Sequence, residues 1–214
     1  MTFNSIYEER GNIVLPEFSG IRIMMMPLIL GDIKSVPTFL ATWIDAIQNL
    51  FEMAREHAEK IGYLTIDEKR VKAGESHRRP GLHVDGVCYK GSGAWGGGGG
   101  WGGGAKDSTG MLTVSNIKGC RVWQGQFDGW PGPEGECDHL TSQCFDPITL
   151  KSYTVYWLHG LCIHESIPVQ YNVRRQFVRL SLPSDSPWFE GYTVNPLGIK
   201  PTGPILPQRI FMDN

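Results

Sequence analysis

The chain has 214 residues, 41% of them hydrophobic, which is enough for one sizeable core and points to a single domain over 1–214. Lys and Arg number 20 against 22 Asp and Glu, and a net charge of −2 excludes a general attraction to nucleic acid or to an anionic membrane. The five cysteines, Cys88, Cys120, Cys137, Cys144 and Cys162, are odd in number and lack CxxC spacing, which argues against a disulfide framework and for reduced thiols in the cytoplasm. The opening MTFNSIYEER has no apolar stretch behind a basic start, so no signal peptide is expected. The longest apolar run, Ile21 to Leu30, is interrupted by Arg22 and Pro27 and is too short to span a bilayer.

Apolar residues then recur at spacings of three and four: Val36, Leu40, Trp43, Ile44, Ile47, Phe51, Ala54, Ala58 and Ile61. This predicts one helix over 35–61, with Ser35 as N-cap, Pro37 just inside and Gly62 as the stop. Beyond it, short strand-like runs at 61–66, 81–90, 110–117, 120–127, 152–158, 161–164 and 174–182 are separated by Gly, Pro, Asp and Ser. That pattern suggests a sandwich or barrel, with a β-core over 81–182. The segment 184–214 is rich in Pro and Gly and reads as an extended surface tail.

Residues 91–104 read GSGAWGGGGGWGGG. Gly91, Gly93 and Gly96 match GxGxxG, but five consecutive glycines cannot open the helix that a dinucleotide site requires. The tract reads either as a flexible loop or as a flap that closes Trp95 and Trp101 over a bound molecule.

The run GLHVDGVCY, residues 81–89, alternates as a strand. His83 and Asp85 share one face, and Leu82, Val84 and Cys88 take the other. Such a pair is two-thirds of a metal site. The third ligand lies in YWLHGLCIHESIPV, as His159 or His164; His164 sits in a strand-like run, whereas His159 abuts Gly160 and reads as turn. Further on, Arg175, Phe177, Arg179 and Ser181 share a strand face, backed by Val178, Leu180 and Leu182. Two arginines on one face need either water or an anion, and guanidinium suits a bidentate carboxylate contact.

In order, these pieces are HxD, a long insertion, His164, and Arg175 followed by Arg179-x-Ser181. This resembles the Fe(II)- and 2-oxoglutarate-dependent dioxygenase superfamily over residues 83–181. The resemblance implies a mainly β fold with a flanking helix: a double-stranded β-helix, or cupin-like jelly roll, with the 35–61 helix buttressing its outer sheet. It also implies that His83, Asp85 and His164 hold iron, and that Arg175 binds the distal carboxylate of 2-oxoglutarate. Arg179 is a second candidate for co-substrate or substrate, and Ser181 a hydroxyl contact. Two imidazoles and a carboxylate suit Fe(II) and leave positions open for a chelating co-substrate and O2. An ionised Asp85 beside two histidines inside a barrel would cost several kcal/mol without an ion. The implied reaction converts a C–H bond, O2 and 2-oxoglutarate into hydroxylated product, succinate and CO2, on a small-molecule or amino-acid-like substrate. The competing readings are a non-catalytic jelly-roll binding or structural module and a cupin-type metalloenzyme that does not use 2-oxoglutarate.

Four other constellations are weaker. Arg78 and Arg79 face an anionic substrate or form a solvated turn. Cys137, Asp138, His139 and Cys144 hint at zinc but lack a fourth ligand at standard spacing. Trp123, Trp130, Trp157 and Trp188 read mainly as packing residues, and Asn116 and Gln124 as marginal co-substrate contacts.

Overall fold

A computed structural model describes residues 2–85, 110–132, 135–184 and 188–207. The glycine tract, with Trp95 and Trp101, and the second half of the 81–90 run lie outside them. Among the described residues the strands are β1 (Thr2–Ser5), β2 (Tyr7–Asn12), β3 (Arg22–Ile29), β4 (Ile61–Val71), β5 (Met111–Ser115), β6 (Cys120–Trp123), β7 (Gly125–Asp128), β8 (Ile148–Thr149), β9 (Thr154–Leu158), β10 (Ile163–Ser166), β11 (Val173–Ser181), β12 (Trp188–Phe189) and β13 (Ile205–Leu206), with one α-helix, α1 (Ile44–Met53).

A six-stranded sheet runs β2-β9-β5-β11-β4-β3, and a three-stranded sheet runs β10-β6-β8. The small sheet is extended past β10 by residues 82–84. There His83 and His164 are directly paired, each backbone N–H donating to the other's carbonyl at 3.0 and 2.9 Å. Followed along the chain, β4 is in the large sheet, 82–84 in the small one, β5 in the large, β6 and β8 in the small, β9 in the large, β10 in the small and β11 in the large. That alternation makes a double-stranded β-helix, the jelly-roll core expected from the sequence.

Strand alternation sorts the large sheet into two faces. Leu64, Ile66, Leu112, Val114, Val178, Leu180 and Leu182 point outward and pack under Leu40, Trp43, Ile47, Leu50 and Phe51. Met111, Tyr156 and Leu158 point inward and meet Val122 and Cys162. The helical segment therefore buttresses the outer face, as expected, but it is not one helix over 35–61. A 3-10 segment at Thr38–Trp43 leads into α1, a 3-10 turn at Arg55–His57 follows, and β4 begins at Ile61. The periodicity looked continuous because the Thr38–Trp43 segment lays Leu40 and Trp43 on the same sheet as α1, although the Arg55–His57 turn buries nothing. Ser35 is no N-cap of a long helix; it ends the 3-10 turn Ile33–Ser35, which Asp32 caps, and its hydroxyl donates to Asp32 O. Gly62 is no stop either. It lies within β4, where a Cβ would sit 2.9 Å from Ser181 O and 2.6 Å from Leu30 Cδ2.

The β-core also starts well before residue 81, since β1 to β4 belong to sheets. Pro27 is tolerated in β3 because β3 is an edge strand, and its register shifts between Ile23 and Met26. The 120–127 run divides at Gln124 into β6, paired with β10, and β7, paired with β1. The described part of the tail is docked rather than free: β12 pairs with β13, and buried Asn195 donates to Pro27 O and Ser35 O. Among the described residues, no helix is long and apolar enough to cross a membrane.

Candidate metal and anion site

The small sheet contributes the candidate ligands. Because His83 and His164 are paired across it, their side chains share a face, and their ring centroids lie 4.3 Å apart. Each ring is oriented locally. His83 Nδ1 donates to Gly81 O at 2.8 Å and His164 Nδ1 donates to Cys162 O at 2.9 Å. A carbonyl only accepts, so both Nδ1 atoms carry the proton and both Nε2 lone pairs are left for a ligand. Asp85, two residues beyond His83, brings Oδ2 to 3.7 Å from His164 Nε2. One ligand atom from each of the three lies within 4.8 Å of the others, and all three residues are buried. On the opposite face Leu82 and Val84 pack with Phe3, Trp123 and Ile163, which holds the segment in place.

The electrostatics suit a cation. Burial pushes His83 down to about 3, with His164 adding to the effect and Asp85 opposing it, so the ring is held neutral. Burial alone would raise the Asp85 carboxyl, but His164, Arg179 and His83 outweigh it and hold it below the usual range. Two imidazoles with free Nε2 atoms and an ionised carboxylate form the donor set expected for a divalent transition metal.

The large sheet contributes the cations. Arg175, Phe177 and Arg179 face inward from β11, with Arg179 paired to Thr113 of β5. With His83, Asp85, His164, Arg78 and Arg79 they line one cavity enclosing about 540 Å³, part of it open to solvent. Arg179 Nη1 donates to Asp85 Oδ2 at 2.9 Å. Arg175 is only 1% exposed and has no carboxylate within ion-pair distance among the described residues. Its Nε and Nη1 donate to the hydroxyls of Ser115 and Ser166, each at 3.3 Å, and its guanidinium carbon stands 5.9 Å from the Phe177 centroid. Burial lowers it to about 10, which leaves it charged at neutral pH. A buried guanidinium held by two neutral hydroxyls is a costly arrangement that an incoming carboxylate relieves.

The cavity thus brings together His83, Asp85, His164, Arg175 and Arg179. Ser181, although on the same strand face, lies outside its lining, buried with its hydroxyl unpartnered. His159 is elsewhere, with Nδ1 accepting from Leu161 N–H. Asn116 ties β5 to β11 through Gln176 N–H and Arg174 O, Gln124 is exposed, and none of the four tryptophans Trp123, Trp130, Trp157 and Trp188 lines the cavity. Cys137, Asp138, His139 and Cys144 do not form a ligand cluster; among the described residues the only such group is His83, Asp85 and His164. Arg78 is not a solvated turn residue. It lines the cavity and its Nη1 donates to Asp67 Oδ2 at 2.9 Å. Asp67 was the partner that sequence reasoning missed: it is buried on β4 directly opposite Phe177, and it also takes Arg22 at 3.0 Å and His77 at 3.2 Å.

Fold and cluster define a jelly-roll chain with a buried two-histidine, one-carboxylate group. Among solved structures, the chain has a weak likeness to a non-heme monooxygenase, ThoJ in its apo form, at a TM-score of 0.40 and 13% identity over 85% of this chain and 75% of that one. A second is the ThoJ–Ni complex, at 0.37 and 12% with the same coverage. No family model matches the sequence, and no curated protein does.

Proposed function

We propose that the chain is an Fe(II)- and 2-oxoglutarate-dependent oxygenase that hydroxylates a small-molecule or amino-acid-like substrate. The observation that carries this reading is the sharing of one cavity by the three converging ligand atoms and by Arg175, a buried guanidinium without a carboxylate partner among the described residues. Ferrous iron, when bound with O2 and 2-oxoglutarate, supplies the oxidising chemistry, with succinate and CO2 as co-products. His83 and His164 would present Nε2, fixed by their carbonyl contacts, and Asp85 its carboxylate. Arg175 would take the distal carboxylate of the co-substrate, with Ser115 and Ser166 holding the fork in plane. Arg179 would orient Asp85 through its ion pair.

The test is succinate release in the presence of Fe(II), O2 and 2-oxoglutarate without added substrate. Slow uncoupled release is expected from the wild type and none from Asp85→Ala; equal turnover by the two would remove the assignment. One observation favours a non-catalytic binding module instead: Arg179 already compensates Asp85 without an ion. Such a module would release no succinate in either form.

A further inference from the structure

The roles above leave two cations of the cavity unused, Arg78 and Arg79, and of these Arg78 lies against Phe177. Arg78 stands with its guanidinium carbon 5.1 Å from the centroid of Phe177, the ring that Arg175 also flanks. Its approach is fixed at two points: Nη1 donates to Asp67 Oδ2 and the backbone N–H donates to Ser166 Oγ at 3.3 Å. Nη1 is its only side-chain nitrogen engaged among the described residues, so Nε and Nη2 remain for a ligand. The side chain is 20% exposed, whereas Arg175 is 1% exposed, so the two guanidinium groups lie at different depths of one cavity.

The charges do not balance. Leaving aside Arg79, which has an interaction of its own, Arg78, Arg175 and Arg179 are set among the described residues against two carboxylates, Asp67 and Asp85, and Asp67 is also shared with Arg22. A divalent ion and a dianionic co-substrate cancel one another, so the excess positive charge survives their binding. In a partly buried site such an excess is stronger than at an open surface, and its complement is an anion. A neutral group placed there would strip water from Arg78 and give nothing back.

We propose that the substrate is an anion bearing a carboxylate or phosphate group and that Arg78 binds that group. The proposal rests on the oxygenase reading for the word substrate, while the deeper Arg175 is kept for 2-oxoglutarate. Asp67 is then a positioning residue that aims Arg78.

The test is calorimetric titration of the Ni(II)-loaded full chain, saturated with 2-oxoglutarate, using acetate and inorganic phosphate as anionic probes and acetamide as the neutral control. One anion is expected to bind where acetamide does not, and which one binds separates carboxylate from phosphate. Arg78→Gln is expected to weaken that probe by about tenfold or more while 2-oxoglutarate affinity, which reports an intact site, stays within about threefold; Arg78→Lys recovers part of the loss. The proposal falls if neither anion binds better than acetamide, if Arg78→Gln binds the probe like the wild type, or if it weakens 2-oxoglutarate to the same degree. Failure of 2-oxoglutarate to bind the metal-loaded wild type would sink the oxygenase reading instead, and the same probes applied without it would still decide Arg78.

Discussion

Gly119→Ala presses on Arg175, the proposed anion anchor, without touching His83, Asp85 or His164. At residue 119 a Cβ would lie 2.7 Å from Arg175 Cζ, 2.9 Å from Nη2 and 3.0 Å from Nη1. Ordinary carbon contacts begin near ~3.5 Å, so either the guanidinium or the backbone must retreat by roughly 1 Å. Neither has room. Arg175 is held by Ser115, Ser166 and Phe177, and Gly119 O accepts from Ile167 N–H at 3.1 Å and from Ser166 Oγ at 3.3 Å. Gly119 is not one of the glycines with positive φ, so alanine brings a clash and no backbone strain. Overpacking of this kind costs about 1–3 kcal/mol. A guanidinium displaced by that amount loses one of two charge-assisted contacts to a carboxylate, about 1.5–3 kcal/mol, or roughly tenfold to a hundredfold in affinity. Calorimetry on Ni(II)-loaded protein should show 2-oxoglutarate weakened by that factor and nickel affinity unchanged within about threefold. Wild-type 2-oxoglutarate affinity in a folded Gly119→Ala variant would refute Arg175 as the anchor.

Arg179→Met should destabilise the metal-free protein by about 3–5 kcal/mol, because Asp85 is left buried and unpaired, and saturating nickel should then raise Tm more in the variant than in the wild type. Equal metal-induced shifts would show that Asp85 does not reach the ion. His77 is buried, which holds it below its ordinary value despite nearby Asp67. The unfolded chain therefore takes up a proton below about pH 6.5 that the folded chain resists, and stability falls as the pH drops. Thermal melts of His77→Leu should show a flatter decline from that point downward; an unchanged slope would exclude His77 as a contributor. Burial raises the Asp67 carboxyl, but His77, Arg78 and Arg22 win and hold it well below the usual range, so its contribution is present above about pH 4 and is lost in stronger acid. Asp67→Asn should remove that acid-sensitive part in urea titrations at pH 3 and pH 7, and an unaltered difference between the two would contradict the pairing.

What was legible in the sequence was local. The alternation of HVD placed His83 and Asp85 on one side and Leu82 and Val84 on the other, and the alternation of β11 placed Arg175, Phe177 and Arg179 on the inner face, because side-chain direction on a strand depends only on parity. His164 was separable from His159 because it sits in a strand-like run, whereas His159 abuts Gly160 and reads as turn. What was not legible depended on which strands become neighbours. Asp67 reads as one charged residue among DEKR until the β4–β11 register sets it opposite Phe177 and within reach of Arg78. Ser181 obeys parity and still misses the cavity, since parity gives a direction and not a depth. The helix was overlong because 3-10 turns share the sheet-facing stripe of α1. The edge strands β1 and β2 carry almost no apolar signal of their own.

The central claim is that one cavity holds a divalent iron through residues 83, 85 and 164 while residue 175 anchors a dicarboxylate. The most direct measurement is an anaerobic visible difference spectrum of the Fe(II)-loaded protein as 2-oxoglutarate is added. A saturable charge-transfer band should grow in the wild type, be absent from Asp85→Ala, and require more 2-oxoglutarate in Arg175→Met. Tight iron binding with no band at any 2-oxoglutarate concentration, or a band undiminished in Asp85→Ala, would contradict the account.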